Sequence, residues 1–160
     1  MSDLLDAATA DLVTNIWGFD RVPDLPLTPA QVLGDYKRMG IFGPMGAVRI
    51  NIISLPPETA GQPLKLQEMA AKLDLGTGAS ITPGKEGGWM HRTDSIDLTV
   101  VLKGETDVAY LGEDGQLREI TIREGDFIVQ KGAFHDWRNR SKEHCVILVV
   151  ILAAERKPSR

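Results

Sequence analysis

The spacing of apolar positions changes character once along this chain. Between residues 3 and 17, Leu4, Leu5, Ala8, Leu12 and Ile16 fall roughly on one stripe, and that spacing predicts a short helix. The stretch "RVPDLPLTPA" then carries prolines at 23, 26 and 29, which forbids a regular element and predicts an extended arm lying on the body. In "TPAQVLGDYKRMG", Thr28 is placed to cap a helix with Pro29 in its first turn. From residue 47 the period falls to two. In "AVRINIISL", Val48, Ile50 and Ile52 share one face of a strand and Arg49, Asn51 and Ile53 the other, until Pro56-Pro57 ends it. "PLKLQEMAAKLDLG", residues 63–76, reads as a helix, although "LKLQEM" also suits a strand.

From Gly84 onward the chain reads as short strands between tight turns. "SIDLTVVL", "TDVAYL", "LREITI", "DFIVQ", "HDWRN" and "HCVILVVIL" are separated by turn signals every 8–12 residues or so. Asp114-Gly115 between two of them marks a hairpin. No internal repeat interrupts this pattern. The expectation is an all-β sandwich or small barrel over residues 47–154, with an arm and short helices over 1–46 and a tail over 155–160.

Composition adds boundaries rather than detail. The chain has 160 residues, 42% of them hydrophobic and 25% charged, enough for one buried core. A net charge of −4 leaves no basic footprint for nucleic acid, and no helix-turn-helix pattern is present. The longest apolar run, 145–154, is too short to cross a membrane as a helix. The acidic opening "MSDLLDAATADLV" lacks a signal peptide's basic start, so a cytoplasmic protein is expected. The single cysteine, Cys145, lies inside that apolar run and reads as a core residue.

The candidate chemistry rests on three histidines. On extended backbone His91, Thr93, Ser95 and Asp97 point to one face, as do His135, Trp137 and Asn139 on another strand. If both strands face one interior, two imidazoles and a carboxylate converge, the facial set of non-haem iron and related metals. Without a metal, the same groups make a proton-transfer pair or a satisfied polar cluster. His144 opens the last strand outside this set and reads as a surface or core-edge residue. Trp89 and Trp137 share parity with the histidines, which suits either an aromatic wall over a ligand or plain packing. Arg49 and Asn51 line a pocket if their face looks inward, where Arg49 would grip a carboxylate or enolate; on an outward face Arg49 is simply solvated.

Residues 84–152 resemble the cupin family. The second cupin motif, a Gly-Asp turn, a strand and Gly-x-x-His-x-x-x-Asn, is matched by Gly125-Asp126 and by "GAFHDWRN", from Gly132 through His135 to Asn139. The first, His-x-His, three or four residues, Glu, six residues, Gly, is matched by His91-x-Thr93, Asp97 and Gly104. Thr93 stands where the second His is usual, Asp97 replaces a Glu and is one methylene shorter, and Lys131 replaces a Pro.

The resemblance implies a double-stranded β-helix (jelly-roll) barrel. It also implies a homodimer, with the proline-rich arm at 21–29 reaching a second subunit. The family's metal site maps onto His91, Asp97 and His135 for a divalent Fe, Mn, Ni or Zn ion, with Asp97 and His135 as catalytic groups. Arg49, Asn51, Trp89, Thr93 and Trp137 are expected to line the ligand pocket. The implied function is a small-molecule enzyme performing dioxygenation, decarboxylation, isomerisation or dehydration on a small carbonyl or phenolic compound. The alternatives are a metal-free binding or sensing module and a purely structural dimer.

Overall fold

A computed structural model describes residues 12–33, 39–58, 82–83 and 90–157. Among these residues, ten strands and one short helix follow in the order β1 (Val13–Phe19), α1 (Pro29–Leu33), β2 (Val48–Leu55), β3 (Thr82–Pro83), β4 (His91–Arg92), β5 (Ser95–Lys103), β6 (Glu105–Leu111), β7 (Leu117–Arg123), β8 (Phe127–Gln130), β9 (His135–Arg138) and β10 (Cys145–Ala153). They form two five-stranded antiparallel sheets, β1-β2-β10-β5-β8 and β3-β4-β9-β6-β7. The fold is the all-β, jelly-roll type expected, and every strand read from residue 47 onward is present.

The unbroken apolar run of β10 follows from its central place in the first sheet. Cys145, Ile147, Val149 and Ile151 enter the main core with Ile41, Phe42, Val101, Val108 and Ile122. The alternate residues Val146 and Leu148 meet Ile52, Ile16 and Leu102 on the outer face. A strand with apolar neighbours on both faces loses the alternation of a half-buried one. Toward β8 this outer face leaves Ile96, Phe127, Val129 and Leu152 exposed.

The helix expected over residues 3–17 is overturned where the structure describes it. Residues 13–19 are β1, paired antiparallel along β2. A bulge between Asn15 and Trp17 inserts an extra residue into the ladder. That shift of parity, read along a sequence, resembles a helical stripe, and the free edge of β2 decides the outcome. Residues 1–11, the helix candidate at 63–76 and Trp89 lie outside the described residues. Helix α1 begins as expected. Gln31 N donates to Thr28 Oγ1 at 3.3 Å while Thr28 N donates to Gln31 Oε1 at 2.8 Å, a reciprocal capping box.

The first sheet turns polar groups inward as well as apolar ones. Asn51 on β2 and Thr99 on β5 both stand opposite Val149, and Arg49 and Asp97 both stand opposite Ile151. Directly paired residues share a face, so all four lie on the core side, and all four are buried.

Candidate functional site

The two cupin-like motifs meet at a single rung. His91 on β4 pairs with His135 on β9, the one register pair between those strands. Their ring centroids lie 4.5 Å apart at an interplanar angle of 52°. Trp137, two residues on, packs against the main core and sets its ring edge-on to His135 at 6.3 Å. The second sheet thus aims both imidazoles into the interior that the first sheet closes.

His135 is held in one tautomer. Its Nδ1 lies 3.0 Å from the Ala133 carbonyl, which can only accept, so Nδ1 carries the proton and Nε2 keeps its lone pair. Burial and the neighbouring His91 push its pKa down to about 3, so the ring is neutral. The loop before β9 is fixed from outside. Gly132 takes φ +65°, and a Cβ there would lie 2.6 Å from Arg156 Nη2. Arg156 Nη2 donates to both the Thr93 and Gly132 carbonyls at 3.0 Å, and its Nε to Asp94 Oδ1 at 2.5 Å. One guanidinium therefore clasps the bend between β4 and β5 to the loop before β9. Nothing in the hydrophobic pattern marks Arg156, which falls beyond the last strand.

Asp97 occupies the other wall. It lies on β5, opposite Gln130 of β8 and Ile151 of β10. Burial pushes its pKa up to about 6, against a lowering hydrogen bond from the Ser95 side chain. Ser95 Oγ is also 2.7 Å from Thr93 Oγ1, which gives a Thr93–Ser95–Asp97 chain along the parity predicted from sequence. Asp97 Oδ1 is buried with no hydrogen-bond partner.

The structure thus joins His91 to His135 and brings Thr93, Ser95 and Trp137 into the same interior. Among the described residues, no group of three or more His, Cys, Asp and Glu side chains gathers as metal ligands, so Asp97 does not close on the imidazole pair. Arg49 is inward but fully engaged: it pairs with Asp20 and donates to the carbonyls of Gly40, Phe19 and Val48. It fastens the end of β1 and the chain that follows it to the barrel, a role legible only once Asp20 is seen beside it. Asn51 has both amide atoms buried and unpartnered. Asn139 is structural: its Nδ2 donates to Leu55 O and Glu143 O, and its Oδ1 accepts from Ser141 N and Oγ. His144 Nδ1 bonds Ser54 Oγ at 2.8 Å, away from the site. Cys145 is wholly buried, its thiol pushed up to about 12 by that burial and by Glu105.

A metal is tested by this donor set. Two buried imidazoles, one with its tautomer fixed by a backbone carbonyl, and a buried carboxylate oxygen without a partner are the groups a divalent transition ion takes. The chemistry fits, with His91 and His135 already adjacent and Asp97 the buried carboxylate of the first motif.

A two-sheet antiparallel barrel with paired inward histidines from two separated motifs defines the class of this protein. Residues 78–151 match the family model described as "Cupin domain", and this part of the chain is a cupin domain. Phomopsin biosynthesis cluster proteins C' and D of Diaporthe leptostromiformis are each 48% identical over 61 residues, 38% of this chain and 30% of theirs. Oryzines biosynthesis cluster protein J of Aspergillus oryzae is 38% identical over 76 residues, 48% of this chain and 39% of its own. The matches therefore span well under half the length of these curated relatives. Among solved structures, an oxalate oxidase in complex with the substrate analogue glycolate aligns with TM-score 0.45 at 18% identity, covering 88% of this chain and 50% of that one. An oxalate decarboxylase formate complex from Lactobacillus farciminis aligns with TM-score 0.43 at 14% identity, over 68% and 25%. No helix among the described residues is long and apolar enough to cross a membrane.

Proposed function

We propose that this cupin binds a small carbonyl or phenolic compound inside the barrel and acts on it with a divalent metal, iron, manganese, nickel or zinc, held by His91, His135 and Asp97. The observation that carries this reading is the His91–His135 rung, with His135 Nε2 left as a lone-pair donor by the Nδ1 bond to Ala133. A bound divalent ion supplies Lewis-acid polarisation of a substrate oxygen. The chain's own residues do the rest. His135 is held neutral by burial, the form that ligates, and the Ser95 hydroxyl orients Asp97. Trp137 stiffens the His135 ring from its edge. Dioxygenation, decarboxylation, isomerisation and dehydration are the reactions open to such a site. The relatives named for biosynthesis clusters favour a biosynthetic step. A buried, unpaired Cys145 suits a reducing cytoplasm.

A metal-free reading is favoured by one arrangement: Thr93 Oγ1 is tied to Ser95, and Asp97 stands on the opposite sheet from the imidazoles. In that case Asp97 moves the proton and the histidines orient the ligand. Elemental analysis of untagged protein separates the two. About one ion per chain, lost in His135→Ala, supports the metal reading, and no ion under any loading condition rejects it in favour of the second.

We also propose a homodimer through the outer face of the first sheet, where Ile96, Phe127, Val129 and Leu152 are exposed side by side on β5, β8 and β10.

A further inference from the structure

The first sheet carries buried polar atoms that nothing among the described residues satisfies. Asn51 is 0% exposed and both its Oδ1 and Nδ2 lack a partner; Thr99 is 1% exposed and its Oγ1 lacks one. Asp97 Oδ1 and Gln130 Nε2 are in the same condition. Buried polar groups are almost always paired, because an orphan keeps its desolvation cost with nothing in return. Here the orphans are contiguous. Asn51 and Thr99 flank Val149, while Asp97 pairs with Gln130 one step along the strands. Strands about 4.8 Å apart and a rise of about 3.4 Å per residue put these groups within a patch roughly 14 by 7 Å, the footprint of a small molecule.

The patch lies on the core side. Val149 and Ile151, in the same two rows, belong to the main core, and Ile128, paired with Thr99, packs against it. Trp137, which shares its face of β9 with His135, packs against that same core. The orphan wall and the histidine pair therefore bound one interior.

The groups on offer decide the ligand. An amide gives an acceptor and two donors, a hydroxyl gives both, the Gln130 amide donates and the Asp97 oxygen accepts. The nearby cation is spent, since Arg49 is tied to Asp20 and three carbonyls. In the metal-free protein an anionic ligand would meet Asp97 with no compensating charge among the described residues. From this we infer that Asn51, Thr99 and Gln130 form a recognition wall for an uncharged ligand that carries an amide, or a hydroxyl beside its carbonyl. This specifies the substrate class of the function proposed above and takes its location from that reading, but it requires no metal.

The test uses the full chain with lactamide as the neutral hydroxy-amide probe and lactate as its anionic counterpart. Binding is followed by the Asn51 side-chain amide signals in NMR and by thermal unfolding. Lactamide is expected to shift those signals and to bind at least tenfold more tightly than lactate. Asn51→Leu and Thr99→Val should each weaken lactamide binding at least tenfold while keeping or raising the melting temperature, since they delete unpaired polar atoms. Thr99→Ser should retain binding, and protein stripped of metal by a chelator should retain it too, which separates this wall from the metal site. Unmoved Asn51 signals, lactate binding as tight as lactamide, or undiminished binding by Asn51→Leu would overturn the assignment and identify the orphans as water-bound. No metal taken up under any loading condition, with lactamide binding intact, overturns the function proposed above and upholds this one.

Discussion

Arg156→Ala is the substitution that most directly asks whether the histidine rung is held from outside. The guanidinium makes two bonds to the carbonyls of Thr93 and Gly132 and one to Asp94. Its side chain is 35% exposed and that of Asp94 21%, so the ion pair is screened. Two charge-assisted bonds to carbonyls contribute about 1 kcal/mol each after that discount, and the screened pair adds about 0.5 kcal/mol at most. The expected loss is roughly 2 kcal/mol, or about 4–8 °C in melting temperature for a chain of this length. The local effect should exceed the global one, because the clasp joins the loop before β5 to the loop before β9. Imidazole signals of His91 and His135 in long-range proton–nitrogen NMR should broaden or shift at temperatures where the barrel is intact. Arg156→Lys keeps the charge but lacks the fork, and should recover only part of the stability. An Arg156→Ala protein that melts within about 1 °C of wild type and keeps both imidazole signals would refute the clasp.

Three further outcomes follow from the packing and charge. In metal-free protein, burial raises the Asp97 pKa from 3.8 to about 6, so the folded state binds more protons than the unfolded one between those values and stability falls as pH rises through that window. Asp97→Asn should therefore gain up to about 3 kcal/mol relative to wild type at pH 7 and nothing near pH 3, read by denaturant titration. His135 works in the opposite sense: its pKa, lowered from 6.5 to about 3, makes stability fall with acidity across that range, and His135→Asn should flatten that slope. Asn139→Ala removes four bonds from a side chain joining β2 to the turn before β10, and calorimetry should show a loss of roughly 2–4 kcal/mol. Phe127→Lys on the exposed outer face should shift sedimentation from dimer to monomer without lowering the melting temperature of the barrel, and an unchanged sedimentation profile would reject that face as the contact.

Strands from β5 onward were legible because turn residues recur at short intervals and each strand alternates or is bounded by glycine. The strand β1 was not, since one bulged residue between Asn15 and Trp17 changes its parity. The site was legible in its parities: His91, Thr93, Ser95 and Asp97 are all buried on the predicted side, and His135 joins His91. Parity says nothing of distance across the barrel, so the separation of Asp97 from the imidazoles could not be read from the chain. The same holds for Arg49 and Arg156. Arg49 read as a pocket residue or a solvated one and Arg156 as part of the tail, and their partners, Asp20 for one and Thr93, Asp94 and Gly132 for the other, are 24–63 residues away.

The lone rung between β4 and β9 also sets when the site comes into being. Its two imidazoles are 44 residues apart in sequence, and their proximity depends on backbone pairing rather than on a local turn. The hairpin of β6 and β7 can close on its own short loop, whereas this contact must first meet the entropy of a long loop. The His91–His135 signature is thus a late event on the way to the native barrel. A histidine-specific probe in a refolding experiment would time the birth of the site separately from the collapse of the sheets.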